Sequence, residues 1–135
     1  VLDLQNLSVR SITTPMQRVV TVTTATPVNE VLKLARERGF NRLPVWDGEG
    51  PARRIVGVLA VRALLYESDL DPTKPAAQYL TPALYLDDGT RLETALQQMQ
   101  RRGQRLAVVL GRDRRELGVL SLEDILKVIF GEVRL

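Results

Sequence analysis

Ser121 and Asp124 place a hydroxyl and a carboxylate three residues apart, where an apolar stretch gives way to helical spacing. Gly118-Val119-Leu120 reads as the end of a strand, and Leu122, Ile125, Leu126 and Ile129 follow at the i, i+3, i+4, i+7 spacing of one helix face. Ser121 then falls at the N-cap and Asp124 in the first turn, beside backbone N–H groups that have no partner within the helix. A junction of this kind has the chemistry to hold a sugar and its phosphate. The carboxylate would accept from ribose hydroxyls, while the hydroxyl and the helix N-terminus would take the anion. The same two residues also make an ordinary helix start with no ligand at all. The stretch alone leaves both readings open.

The elements that must position this pair recur along the chain. Val1, Leu4 and Leu7 suggest the apolar edge of a short N-terminal helix, which Thr13-Thr14-Pro15 breaks. Val19–Thr24 is rich in β-branched residues and reads as a strand. Thr26-Pro27 reads as an N-cap with proline at the first helical position, and Val28, Val31, Leu32 and Ala35 form the face of a helix that Gly39 ends. Arg42–Trp46 and Ile55–Ala60 read as two strands around a polar loop, and Val61, Leu64 and Leu65 begin another helix. Asp69–Pro75 is a linker with two prolines.

Beyond the linker the order returns. Thr81-Pro82 echoes Thr14-Pro15, and Thr90 with Glu93 reads as a capping box for a helix with Leu92, Ala95, Leu96 and Met99 on its face. At an offset of 64 the helix positions Val28, Val31, Leu32, Ala35 and Gly39 become Leu92, Ala95, Leu96, Met99 and Gly103. After a hairpin loop three residues shorter, the offset is 61, and Gly57-Val58-Leu59 falls on Gly118-Val119-Leu120. The chain is an internal duplication. The expected fold class is α+β, two β-α-β-β-α repeats packed with pseudo-two-fold symmetry. Residues 1–10 are an N-terminal helix or linker, 11–68 the first repeat, 69–76 a linker and 77–133 the second repeat. Units of about 55–60 residues bury little surface alone. Two copies packed sheet against sheet would open clefts at the strand-to-helix junctions, where Ser121 and Asp124 lie.

The totals narrow the chemistry. At 135 residues, 44% hydrophobic and 26% charged, the chain is one compact domain or two small halves sharing a core. It has no cysteine and no histidine, which removes thiol nucleophiles, disulfides, the usual zinc ligands and histidine acid/base chemistry. No apolar run reaches the length of a membrane span, and the start lacks the pattern of a signal peptide. The formal charge of +3, with arginines gathered around Arg36–Arg38, Arg101–Arg105 and Arg112–Arg115, mildly favours anionic partners. At 4% aromatic residues, the base-stacking platform of a single-strand binder is missing.

The set Thr14-Pro15, Gly39-Phe40-Asn41-Arg42-Leu43-Pro44-Val45, Ile55-Val56-Gly57-Val58-Leu59 and Leu117-Gly118-Val119-Leu120-Ser121-Leu122-Glu123-Asp124-Ile125 resembles a pair of CBS domains, the Bateman module. Within these it resembles the CorC/HlyC and CNNM group associated with magnesium and cobalt efflux, over roughly residues 8–133. The resemblance implies an adenine nucleotide, ATP or AMP, in a cleft shared by both halves. Thr14 would contact the base or ribose, Phe40 would lie near the adenine, and Arg42 would face the phosphates. Ser121 would bind a phosphate or ribose oxygen and Asp124 the ribose hydroxyls. A guanidinium suits phosphate oxygens and a carboxylate a vicinal diol. Each also has a plainer reading: Arg42 as a strand-edge arginine paired with an acid, Thr14 as a turn residue, and Phe40 packed back on the helix that Gly39 ends. Two positions depart from the group: Ser121 stands where threonine is commoner, and Ala63 where relatives often keep an aspartate.

The duplication supplies an internal control. The counterparts of Thr14, Arg42, Ser121 and Asp124 are Thr81, Leu106, Ala60 and Ala63, so three of four polar groups are missing from the second possible cleft. One competent and one degenerate site are expected. The functional expectation is a regulatory nucleotide-binding module, not an enzyme, since nothing pairs a nucleophile with a base or two carboxylates at metal-ligand spacing. Mg²⁺ would be carried by the phosphates if ATP is the ligand. A homodimer through exposed helices is expected, with a membrane domain outside this chain and the module on the cytoplasmic side. Occupancy would pass on by population shift, through the N-terminal helix or the end beyond Gly131. Two other classes compete: a CBS dimerisation or interaction module that has lost its ligand, and nucleic-acid binding through the arginine clusters, which no recognised motif accompanies.

Overall fold

The structure, a computed structural model, describes residues 6–132; Val1 and Leu4, expected on a helix edge, lie outside them. Leu7 precedes a 3₁₀ turn at Val9–Ile12. The chain forms two compact units, a continuous one from Val20 to Ala83 and a split one that joins the segment up to Val19 to everything from Leu84 onward. The described residues hold four α-helices and two sheets, the mixed α+β class expected.

In the continuous unit β2 (Val22–Thr23) runs parallel to β3 (Arg42–Asp47), which pairs antiparallel with β4 (Arg54–Ala60). Between them stand α1 (Val28–Arg38) and, after β4, α2 (Val61–Leu65). The β-branched run 19–24 yields only the two paired residues of β2. The chain turns after Thr23, whose N–H and hydroxyl both engage the Thr26 hydroxyl at 3.1 Å. In the split unit β1 (Thr14–Pro15), β7 (Glu116–Ser121), β6 (Leu106–Leu110) and β5 (Leu84–Asp87) form a sheet in the order β1-β7-β6-β5. Its helices are α3 (Leu92–Arg102) and α4 (Leu122–Glu132). Gly39 and Gly103 end α1 and α3 in the left-handed region, at φ 75° and 65°, a conformation that costs glycine nothing.

The starts of α1 and α3 differ from expectation. The N-cap residues are Pro27 and Arg91, and neither helix has a side-chain cap. Thr26 spends its hydroxyl on the Thr23 turn instead, and the Thr90–Glu93 capping box does not form. The orphan N–H groups go to backbone carbonyls of a neighbouring segment, which satisfy them as well as a cap would. Val28 and Asn29 donate to Lys74 and Pro72 at 2.9 Å each, and Leu92 donates to Leu7 at 3.1 Å. The neighbouring segments are locked in return: Ala76 donates to the Thr26 carbonyl at 2.7 Å, and Val9 to the Thr90 carbonyl at 2.8 Å. Leu7, Val9 and Thr14 lie 67 residues before Lys74, Ala76 and Thr81, so the two arrangements are copies. The segment that leads into each repeat therefore braces the helix of the other repeat. A tight turn shapes the linker. The Asp71 carboxylate accepts from the Thr73 hydroxyl at 2.7 Å and the Thr73 N–H at 2.9 Å, bonds that hold its pKa below the usual aspartate value.

Each unit has its own core at matching repeat positions. Ala35, Leu43 and Leu59 are buried in one; Met99, Ala107 and Leu120 take their places in the other. Where the helix residue grows from Ala35 to Met99, the strand residue shrinks from Leu43 to Ala107. Such a trade of volume between facing elements keeps packing density. Leu65, matched by the repeat to Leu126, is 66% exposed, because α2 stops there after five residues.

Candidate functional site

The split unit carries Thr14 on the edge strand β1, Ser121 at the end of the adjacent β7 and Asp124 in the first turn of α4. Thr14 pairs with Val119 and Pro15 with Gly118, so Thr14 lies alongside the strand two residues before Ser121. Gly118 makes this pairing possible, since a Cβ there would stand well inside van der Waals contact with the Thr14 carbonyl. Gly57 does the same for Thr81 in the continuous unit, where a Cβ would sit 2.7 Å from the Thr81 carbonyl oxygen. Thr81 is held to Val58 by reciprocal backbone bonds of 3.0 Å and by its hydroxyl, which donates to the Val58 carbonyl at 2.9 Å.

Ser121 ends β7 and starts α4. Its Oγ accepts the Asp124 N–H at 3.0 Å, and the Leu122 N–H goes to the Arg105 carbonyl at 3.0 Å. The capping role is thus realised. It uses only an oxygen lone pair, and the hydroxyl hydrogen can still be donated outward. The half-buried Asp124 carboxylate makes no hydrogen bond or ion pair with any described residue, and neither does the Thr14 hydroxyl. A carboxylate in a helix first turn is favoured by the local field, yet this one has no protein donor to satisfy it.

Phe40 and Arg42 belong to the continuous unit. Phe40 follows Gly39 and is 39% exposed. Arg42 opens β3 opposite Ala60, half-buried, with a guanidinium that bonds to no described residue. The strand-edge ion pair read as its plainer role is not formed.

At the degenerate counterpart, Ala60 is the N-cap of α2 and offers no side-chain bond. Asn41 replaces it: the Val61 N–H donates to the Asn41 carbonyl at 2.6 Å and the Arg62 N–H to Asn41 Oδ1 at 2.9 Å. Nothing in the local spacing points to Asn41, which reaches α2 only because β3 and β4 pair. Of the arginine clusters, Arg105 pairs with Glu123 at 2.9 Å and Arg114 with Asp87 at 2.8 Å, while Arg10 pairs with Asp88 at 3.1 Å. The Arg105 and Arg114 pairs are solvent-exposed and of small energetic weight. Among the described residues, no group of three His, Cys, Asp or Glu side chains could hold a metal ion, and no helix is long and apolar enough to cross a membrane.

Residues 9–69 and 76–131 each match the family model of the CBS domain. The chain is a tandem pair of CBS domains. The pair is similar to the CBS domain of a bacterial CNNM/CorC family Mg²⁺ transporter in complex with ATP. The TM-score is 0.86 at 27% identity, covering 95% of this chain and 90% of that one. The UPF0053 protein MG146 of Mycoplasma genitalium is 30% identical over 107 residues, which are 78% of the CBS pair and 25% of that relative. The UPF0053 protein Rv2366c of Mycobacterium tuberculosis is 26% identical over 137 residues, 98% of the pair and 31% of the relative. The CBS pair thus spans between a quarter and a third of these relatives' length.

Proposed function

We propose that this CBS pair is a regulatory module that binds an adenine nucleotide, ATP or AMP, and controls a domain attached to it in a longer protein. The observation that carries the reading is the unpartnered Asp124 carboxylate beside a Ser121 hydroxyl whose hydrogen is unspent. Asp124 accepts from the ribose diol, Ser121 donates to a ribose or phosphate oxygen, and Thr14, on the strand beside β7, contacts the base or ribose. Phe40, toward the adenine, and Arg42, toward the phosphates, enter from the family resemblance; an exposed ring and an unpaired guanidinium suit those roles. The similarity to a CBS domain in complex with ATP supports the ligand class. Any Mg²⁺ arrives on the phosphates.

The role is regulatory rather than enzymatic: the groups at the site bind and orient, and none is a nucleophile paired with a base. Occupancy favours one arrangement of the module over another, and the nucleotide can shift that equilibrium only by its differential affinity for the two. The attached part is a membrane protein of the magnesium and cobalt efflux group, with the module on its cytoplasmic side as a homodimer. The relatives' greater length leaves room for such a part.

Calorimetric titration of AMP and of Mg-ATP into the chain, beside Asp124→Ala, tests the reading. Binding near one nucleotide per chain is expected. Losing a hydrogen bond to a charged group costs about 1.5–3 kcal/mol, so the variant should bind at least tenfold more weakly. No heat from either nucleotide in a folded chain would favour a CBS pair that only dimerises.

A further inference from the structure

The continuous unit holds a cavity of about 370 Å³ between the start of α2 and the segment leading into the second repeat. Ala60, Ala63 and Thr81 line it, the repeat counterparts of Ser121, Asp124 and Thr14. Alanines stand here in place of the hydroxyl and the carboxylate, and the junction remains open. Its chemistry is the reverse of a nucleotide site. No lysine or arginine lines it, and the first two N–H groups of α2 are already taken by Asn41, so neither a cationic side chain nor the helix start receives a phosphate there. The one charged group among its lining residues is Glu67, two residues past the end of α2, whose carboxylate bonds to no described residue. The remaining lining residues are Leu64, Tyr79 and Leu80, with Gln78 as the one further polar residue. Reciprocal bonds between Thr81 and Val58 hold one wall in place.

We propose that this cavity binds a small protonated amine with an apolar body, the ammonium against Glu67 and the body against Leu64, Leu80 and Tyr79. A carboxylate with no basic neighbour on the wall attracts a cation and repels polyphosphate. Aliphatic and aromatic walls favour a body that leaves water, and the volume suits a small organic molecule. The proposal does not depend on nucleotide binding at Asp124.

The test is amide NMR of the full chain titrated with phenethylamine, with its neutral analogue 2-phenylethanol, adenosine and AMP as comparators. Phenethylamine should saturably shift the amides of Ala60, Ala63, Glu67 and Thr81, and the comparators should not. Glu67→Gln, at an exposed position, should weaken the amine at least tenfold. Ala63→Met, which narrows the cavity and keeps the charge, should also block it. The proposal is overturned if the amine leaves these amides unmoved, if a comparator shifts them as strongly, or if Glu67→Gln binds the amine as well as the parent chain.

Discussion

Ser121 caps α4 through a lone pair and leaves its hydroxyl hydrogen for the proposed nucleotide, so one substitution tests both roles. Ser121→Ala removes both: unfolding in urea should show a loss of about 1 kcal/mol, the usual worth of an N-cap, together with weaker nucleotide binding. Ser121→Thr should restore both. A variant with parent stability and lost binding would mean the Asp124 N–H finds another acceptor. Gly118 is a sharper case, because the Thr14 carbonyl occupies the place of a side chain. Gly118→Ala must push β1 off β7 and should cost at least about 1–3 kcal/mol, as overpacking does, with Thr14 displaced from the site. Gly57→Ala, facing 2.7 Å at Thr81, should cost less. Equal stability of the two variants would show that β1 gives way freely. Ser121 and Asp124 were legible in the sequence because cap residues carry type and spacing in one short stretch. The role of Gly118 was not, since the atom that forbids its side chain lies about a hundred residues away along the chain.

Among the elements, periodicity located the four helices of the described residues, and the glycine stops fell where the backbone turns left-handed. Helix starts were harder to read. Thr26 and the Thr90–Glu93 pair have the right residues for caps, yet the carbonyls of Lys74, Pro72 and Leu7 reach the same N–H groups and leave the side chains no work. Local chemistry yields there to a tertiary partner that no window of sequence contains. The repeat also trades volume between helix and strand, Ala35 with Leu43 in one unit and Met99 with Ala107 in the other. If the trade is real, Met99 fills space that Ala107 leaves, and Met99→Ala should open a cavity costing about 2–5 kcal/mol. The double variant Met99→Ala with Ala107→Leu should recover part of the loss, and a thermal melt of the three proteins measures it. Strictly additive effects would mean that the two positions do not share a space.

For the whole molecule, the repeat in the sequence and the compact unit in space are offset by a segment. The repeat read from composition and punctuation covers residues 11–68, whereas the continuous unit runs from Val20 to Ala83. The difference is the lead segment: residues 72–81 supply the carbonyls that start α1, the Ala76 side chain in the core and the Thr81 pairing beside β4. A fragment cut at the sequence boundary, residues 1–68, lacks all three and leaves the first N–H groups of α1 without acceptors. A fragment of residues 20–83 keeps every one of them in a chain without a break. Domains of about 60 residues are marginal but many fold alone. Fragment 20–83 should therefore show cooperative thermal unfolding by circular dichroism and dispersed amide resonances, while fragment 1–68 should show neither. If 1–68 folded and 20–83 did not, the lead segment would be an accessory to the first repeat and not a part of its unit. The same reasoning bears on the regulatory role proposed for the pair. A segment that enters the chain ahead of one repeat and braces the helix of the other, as Leu7 and Val9 do for α3, ties whatever precedes it to the unit that carries Asp124.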